Sequence, residues 1–325
     1  MTRGRLWMAV VVAALFSSAW AVSASAAEEV AKFRFAPVDK ATRIADLKLT
    51  QTVQVKGGEA KDAPPQVYVT SYREKQVFSR TDKGYQIRST ALDAGSSGGA
   101  VSLDPMISAL KGKTIVYTTD ADGKLLSIEG LEQVAADLRK GIPPGAPESA
   151  AKRLTAEFLA AGIKDEWASS VSDYVGHPAV PNSSWVSVDQ LRLMDGRVAK
   201  CYVAKKVVGT ATVQGRSYLR VQTLSNSDPG ELRSLLGASA EAALAGLKPF
   251  ADGAKVSGES TVTVDPQTMD ISQVTAKRRV EFTVKIPERG DFAVTLTEVR
   301  EATEVPAKAT ETAPPAPTSG TKPAP

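Results

Sequence analysis

One cysteine and one histidine serve a chain of 325 residues, and that scarcity removes whole classes of chemistry. Cys201 has no second cysteine in the chain with which to form a disulfide. His177 alone cannot build a histidine-rich metal site, and no Cys/His cluster exists for zinc. The net charge is only +4, from 40 basic and 36 acidic residues. So small an excess is no electrostatic footprint for nucleic acid or for an anionic membrane. After the first 26 residues no stretch reaches the ~18 consecutive apolar residues of a membrane-spanning helix, so no transmembrane segment is expected. No cofactor-binding motif occurs either, and no cofactor is expected.

What is present begins with an address. Arg3 and Arg5 precede an apolar run over residues 6–15, and Ala24-Ser25-Ala26 supplies small residues before Ala27-Glu28-Glu29. Charge, apolar stretch and small-residue exit follow the order of a secretory signal. Residues 1–26 are therefore read as a signal peptide, and the remainder as an exported soluble protein, periplasmic or secreted. No cysteine follows the cleavage site directly, which argues against a lipid anchor. At the other end, residues 305–325 are rich in Pro, Ala and Thr without apolar periodicity, the composition of a disordered tail.

Residues 27–304 read as a β-rich globular region. Alternating segments cover residues 44–55, 67–78 and 85–92, with Asp82-Lys83-Gly84 as a hairpin turn and residues 95–99 as a flexible Ser/Gly loop. Asp120-Ala121-Asp122-Gly123 predicts a second hairpin. The period then becomes helical. Leu131, Val134 and Leu138 line a first helix ending at Gly141, and Leu154, Phe158 and Ala161 a second closed by Gly162. Trp167, Val171 and Tyr174 share one face of a third helix capped by Asp165. Strands resume over residues 185–193, 198–208 and 217–224. Asp228-Pro229-Gly230-Glu231 opens a further helix, with Asp at the N-cap, Pro next and Glu in the first turn. Strands over residues 256–264, 269–286 and 292–299 complete the pattern.

Strands interrupted by helices in this order predict an α+β fold: an antiparallel curved sheet, or half-barrel, with helices packed on one face. Two similar halves, about 30–145 and 146–304, and one continuous sheet fit the pattern equally.

The chemical motifs have plainer explanations. Gly95-Ser96-Ser97-Gly98-Gly99 matches a nucleophile elbow by letters, but His177 stands in the wrong order for a trypsin-like triad and the strand-turn-helix context is missing. Residues 118–129 fit a calcium loop in part, yet Thr118 replaces the first Asp and a hairpin turn accounts for Asp120, Asp122 and Gly123. His177 reads as a loop histidine. Lys277-Arg278-Arg279 and Lys205-Lys206 read as solvated charges, the former on a sheet edge. Cys201 reads as a buried thiol on the face of Val203 and Val207. No catalytic residue is singled out, and no enzyme activity is expected.

Residues 114–138 place a strand, an Asp-x-Asp-Gly-Lys turn, Leu125-Leu126-Ser127-Ile128-Glu129-Gly130 and a helix in succession. Together with the turn Val264-Asp265-Pro266 between long strands, this order resembles bacterial exported proteins of the lipoprotein-carrier-like, half-barrel type. The resemblance implies a curved sheet closing over helices around an apolar cavity, and hence a lipid or lipoprotein acyl chain as ligand. It transfers no residue role. Trp185, Tyr202 and Tyr218, with Val186 and Leu191, are the large residues on mid-sheet strands that would line such a cavity. The expected function is thus non-enzymatic binding of an apolar ligand or lipid in the bacterial envelope. The alternative is a structural or protein-interaction component of the envelope that takes no small molecule.

Overall fold

In the computed structural model, residues 31–57, 64–142, 154–193, 197–250, 253–286 and 290–305 are described. The signal-peptide reading, Pro143-Pro144, Lys152-Arg153 and the tail beyond Val305 lie outside them.

The described residues form one antiparallel sheet of 11 strands. The first meander comprises β1 (Thr42–Lys56), β2 (Gln66–Thr81), β3 (Gly84–Gly98), β4 (Thr114–Asp120) and β5 (Leu125–Glu129). The second comprises β6 (Ser184–Arg192), β7 (Val198–Val213), β8 (Arg216–Asn226), β9 (Ala254–Asp265), β10 (Asp270–Ile286) and β11 (Gly290–Val305). The spatial order is β5-β4-β3-β2-β1-β11-β10-β9-β8-β7-β6, so the first and last strands meet in the middle. Their register runs from Ile44 opposite Val305 to Lys56 opposite Ala293. The sheet therefore passes through both halves without a break. Val305 belongs to β11, which corrects the expected start of the tail by one residue.

Helix α1 (Asp104–Ser108) lies inside the first meander, between β3 and β4, and between the meanders lie α2 (Leu131–Lys140) and α3 (Ala156–Trp167), the last running on into a π-helix at Ala168–Ser172. Thr155 caps α3 by accepting the Phe158 N–H at 3.2 Å. The two helices expected here, broken at Gly162, are thus one. A glycine in a helix interior costs ~1 kcal/mol relative to alanine, and the burial of Leu159, Ile163 and Trp167 outweighs it. The predicted stripe holds across the π-helix: Trp167, Val171 and Tyr174 are all buried. The expected Ser/Gly loop at residues 95–99 is also corrected. Gly95 to Gly98 continue β3, opposite Ser71 to Tyr68 of β2. A partner strand supplies the ladder hydrogen bonds that weak strand propensity alone would not secure.

Helix α3 contacts both edge strands, β5 and β6. A flat sheet of this width would hold its edges about 48 Å apart at ~4.8 Å per strand. A helix of 12 residues is only about 18 Å long. The sheet is therefore rolled around α3, although its edges do not pair with each other. The helix is tied to both sides. Trp167 Nε1 donates to the Gly123 carbonyl in the β4–β5 turn at 2.8 Å, and Asp165 pairs with Arg192 of β6 at 2.8 Å. Gly123 has φ +82°, and a Cβ there would overlap the Phe35 ring. Both the turn and the packing require glycine.

The inner face is packed by the N-terminal segment as well as by helices. Phe33 meets Tyr174 edge-on at 5.4 Å, and Phe35 meets Trp167 at 5.7 Å and Tyr85 at 5.6 Å. Helical structure also covers the other face, which corrects the expectation of one covered face. Asp228 caps a 3-10 turn at Pro229–Leu232 by accepting the Gly230 N–H at 2.8 Å. Short helices α4 (Arg233–Leu236) and α5 (Ala240–Leu244) follow. Leu232, Leu236 and Leu244 pack there on Tyr202 and Ala204. On β7 these two residues alternate with Cys201, Val203 and Lys205, which belong to the inner face.

Candidate functional site

A cavity of about 290 Å³ lies between α3 with its π-helix and the inner face of β6 to β11. The strands build its floor from every second residue. Val203, Val256, Val262, Val280, Phe282 and Leu296 form the apolar part, and Gly162 and Phe158 border it from α3. Further along the same strand faces the residue type changes. Arg278 stands two residues before Val280, Glu298 two after Leu296, and Lys205 between Val203 and Val207. These charges are in phase with the core and turn inward with it.

Nearly every inward charge is matched. Arg278 Nε and Nη2 both donate to Glu298 Oε2, at 2.8 and 2.5 Å, while Glu298 Oε1 accepts Gln51 Nε2 at 2.7 Å. Arg300 Nη1 donates to Glu166 Oε1 at 2.6 Å. Lys205 Nζ donates to Asp173 Oδ2 and to the Ser169 carbonyl, each at 2.6 Å, and lies 4.0 Å above the Tyr174 ring. Burial lowers the Lys205 pKa, against the pull of Asp173. Lys205 is the cation most fully taken from water and needs such partners, whereas Arg278 and Arg300 keep 35% and 26% exposure.

Asp189 on β6 is the remaining inward-turned charge, since Glu259 and Lys277, which also border the cavity, are exposed. Its Oδ1 accepts the Gln190 N–H at 2.8 Å, and among the described residues it enters no ion pair. Burial pushes its pKa up to about 6, with Glu166 adding to the rise and Arg278 and Lys205 opposing it. Cys201 faces it across the β6–β7 register. Burial, reinforced by Asp189, pushes that thiol up to about 12. A thiol held protonated is a poor nucleophile.

The arrangement suits reversible binding of a molecule with an apolar body and a polar end. Among the described residues no group of three His, Cys, Asp or Glu is placed to hold a metal ion. Asp120 Oδ1 accepts the N–H groups of Asp122 and Lys124, the turn role read from its sequence. His177 stacks on Trp185 at 4.7 Å and 10°, and burial lowers its pKa. Ser97 pairs with Val69 inside the sheet. No helix among the described residues is long and apolar enough to cross a membrane.

The large residues singled out from the sequence lie elsewhere. Trp185 is on the inner face but fills the aromatic cluster with Phe33 and Tyr174, its Nε1 donating to the Asp173 carbonyl at 3.0 Å. Tyr202 is on the outer face, stacked on Phe250 at 4.5 Å, with its hydroxyl donating to the Lys248 carbonyl. Tyr218 is buried near the start of β8, beside Arg216 and Asp270. Val186 packs with the outer cluster, and Leu191 alone of the five borders the cavity. Conversely, Arg278 and Lys205 were read as solvated. Strand β10 is flanked by β9 and β11 and is no edge, so alternation exposes Lys277 and Arg279 and turns Arg278 in. Lys205 is 3% exposed. A charge in step with the apolar residues of its strand was the available signal.

No family model and no curated protein matches the chain. Among solved structures, a chain described under lipid–protein interactions in lipovitellin is similar with a TM-score of 0.36 and 10% identity. The match covers 82% of this chain and 26% of that one, so this chain spans about a quarter of the lipovitellin chain. The likeness to lipoprotein carriers rests on the sequence alone, on residues 114–138 and the turn Val264-Asp265-Pro266.

Proposed function

We propose that this protein binds one small amphiphilic molecule, without chemically altering it, in the cavity under α3. The observation that carries the reading is the join of an apolar floor to a charged wall within one half-open cavity. Its volume, about 290 Å³, stands at the lower end of the ~300–1,000 Å³ usual for ligand sites. That size fits a single-chain amphiphile better than a lipid with several chains. The non-catalytic part is supported by ion pairs that occupy the charged groups and by a thiol held protonated. Export to the periplasm or beyond belongs to the same proposal and is supported by the order of residues 1–26.

Native mass spectrometry on the protein recovered from its own host tests the binding. A reproducible extra mass released by organic solvent is expected. A clean apo mass, with no gain after incubation with single-chain amphiphiles, overturns the reading.

A further inference from the structure

The polar wall of the cavity is not neutral in its offer to a ligand. Arg278 has its Nε–Nη2 fork committed to Glu298, Arg300 is paired with Glu166, and Arg192 with Asp165. Lys205 is enclosed by Asp173, the Ser169 carbonyl and the Tyr174 ring. An anionic head group entering here would have to compete with the carboxylate that each of these cations already serves. A cationic head group meets the opposite situation. Asp189 borders the same cavity, is committed only through Oδ1 to a backbone N–H, and has no ion-pair partner among the described residues.

The apolar floor determines the rest of the molecule. Leu191 lies two residues beyond Asp189 on the same strand face, Cys201 lies opposite Asp189 on β7, and Val203 follows Cys201 on that face opposite Ser187. A ligand nitrogen at Asp189 therefore begins where the apolar surface begins. We propose that the ligand is a cationic amphiphile, an alkylammonium whose charged nitrogen pairs with Asp189 and whose chain covers the floor. This inference rests on the ligand-binding reading and adds the sign of the head group.

The groups facing Asp189 are Glu166 from α3, Arg278 from β10, and Lys205 and Cys201 from β7. Protonation of Asp189 would remove the negative charge that the ammonium meets. Ammonium binding should therefore weaken as the pH falls through about 6.

The test compares dodecylammonium, dodecanol and dodecanoate with the full chain by titration calorimetry at pH 7.5, below their aggregation concentrations. Dodecylammonium should bind at least tenfold tighter than dodecanol, and dodecanoate weakest. Asp189→Asn should remove the ammonium preference while leaving dodecanol affinity within about twofold, a fold check built into the same variant. Moving to pH 5 should reproduce the effect of the variant. Dodecanoate binding tightest, or an ammonium preference that survives Asp189→Asn, overturns the head-group assignment and leaves the cavity reading standing. Failure of all three probes to bind overturns the cavity reading itself.

Discussion

Lys205 Nζ lies 2.6 Å from Asp173 Oδ2, beneath the π-helix and above the Tyr174 ring. This pair joins β7 to the segment that covers the cavity, and it is nearly dry: the two side chains are 4% and 16% exposed. Removing one member of a buried pair leaves the other without compensation and costs about 3–5 kcal/mol. Lys205→Met should lose stability on that scale in urea unfolding. Lys206→Met, one residue along and on the opposite face, should cost less than about 1 kcal/mol. Equal losses would show that the lysine stem, and not the buried charge, is what the fold uses.

A second buried pair gives the protein a pH-dependent stability. Asp270 is fully buried beside Arg43, with Arg216 and Glu304 nearby, and burial pushes its pKa up from 3.8 to about 7. The folded chain then keeps a proton that the unfolded chain releases between about pH 4 and 7. The contribution is full below pH 4 and is lost as the pH rises through about 7. Unfolding free energies should therefore fall between pH 4.5 and 7.5, and Asp270→Asn should flatten that slope. An unchanged slope in the variant would place the titrating group elsewhere; Asp189 is raised in the same direction.

Val203 is on the cavity floor, and its side chain faces α3 from β7. Val203→Trp adds volume into the space a ligand would use. Overpacking should cost about 1–3 kcal/mol, a loss the fold should survive. Any mass released by organic solvent from the parent protein should be missing from the variant. Retention of that mass would locate the ligand outside the cavity.

Cys201 is 4% exposed, and its thiol is pushed up to about 12. Iodoacetamide at pH 8 should label it slowly in the folded protein and quickly in urea, as followed by intact mass. Fast labelling of the folded protein would indicate that the cavity opens to reagents.

The pattern of apolar residues revealed the sheet, and it failed where one residue had to choose a face against its type. In Lys277-Arg278-Arg279 the three letters look alike, and the depth of Arg278 follows only from counting back from Val280 and Phe282. The same phase argument identifies Lys205 from Val203 and Val207, and Gln51 between Leu49 and Val53. Composition pointed the other way in each case, because isolated Lys and Arg are seldom buried. Gly162 was misjudged for a related reason. Local propensity ends a helix there, while Leu159, Ile163 and Trp167 carry it onward. Asp228 and the Asp120 turn were legible because their hydrogen bonds are made within a few residues. The cavity was not legible, since it is made between α3 and strands many residues away.

The pairing of β1 with β11 decides how this protein can be built. Ile44 finds Val305 only after everything between them has been made, so one side of β1 must wait as an open ladder until β11 emerges. Until then it is a template for any other extended chain. An assembly factor or a fast-forming cover over that edge would matter most for yield. Removing β1 or β11 would part the sheet along its midline rather than trim its margin.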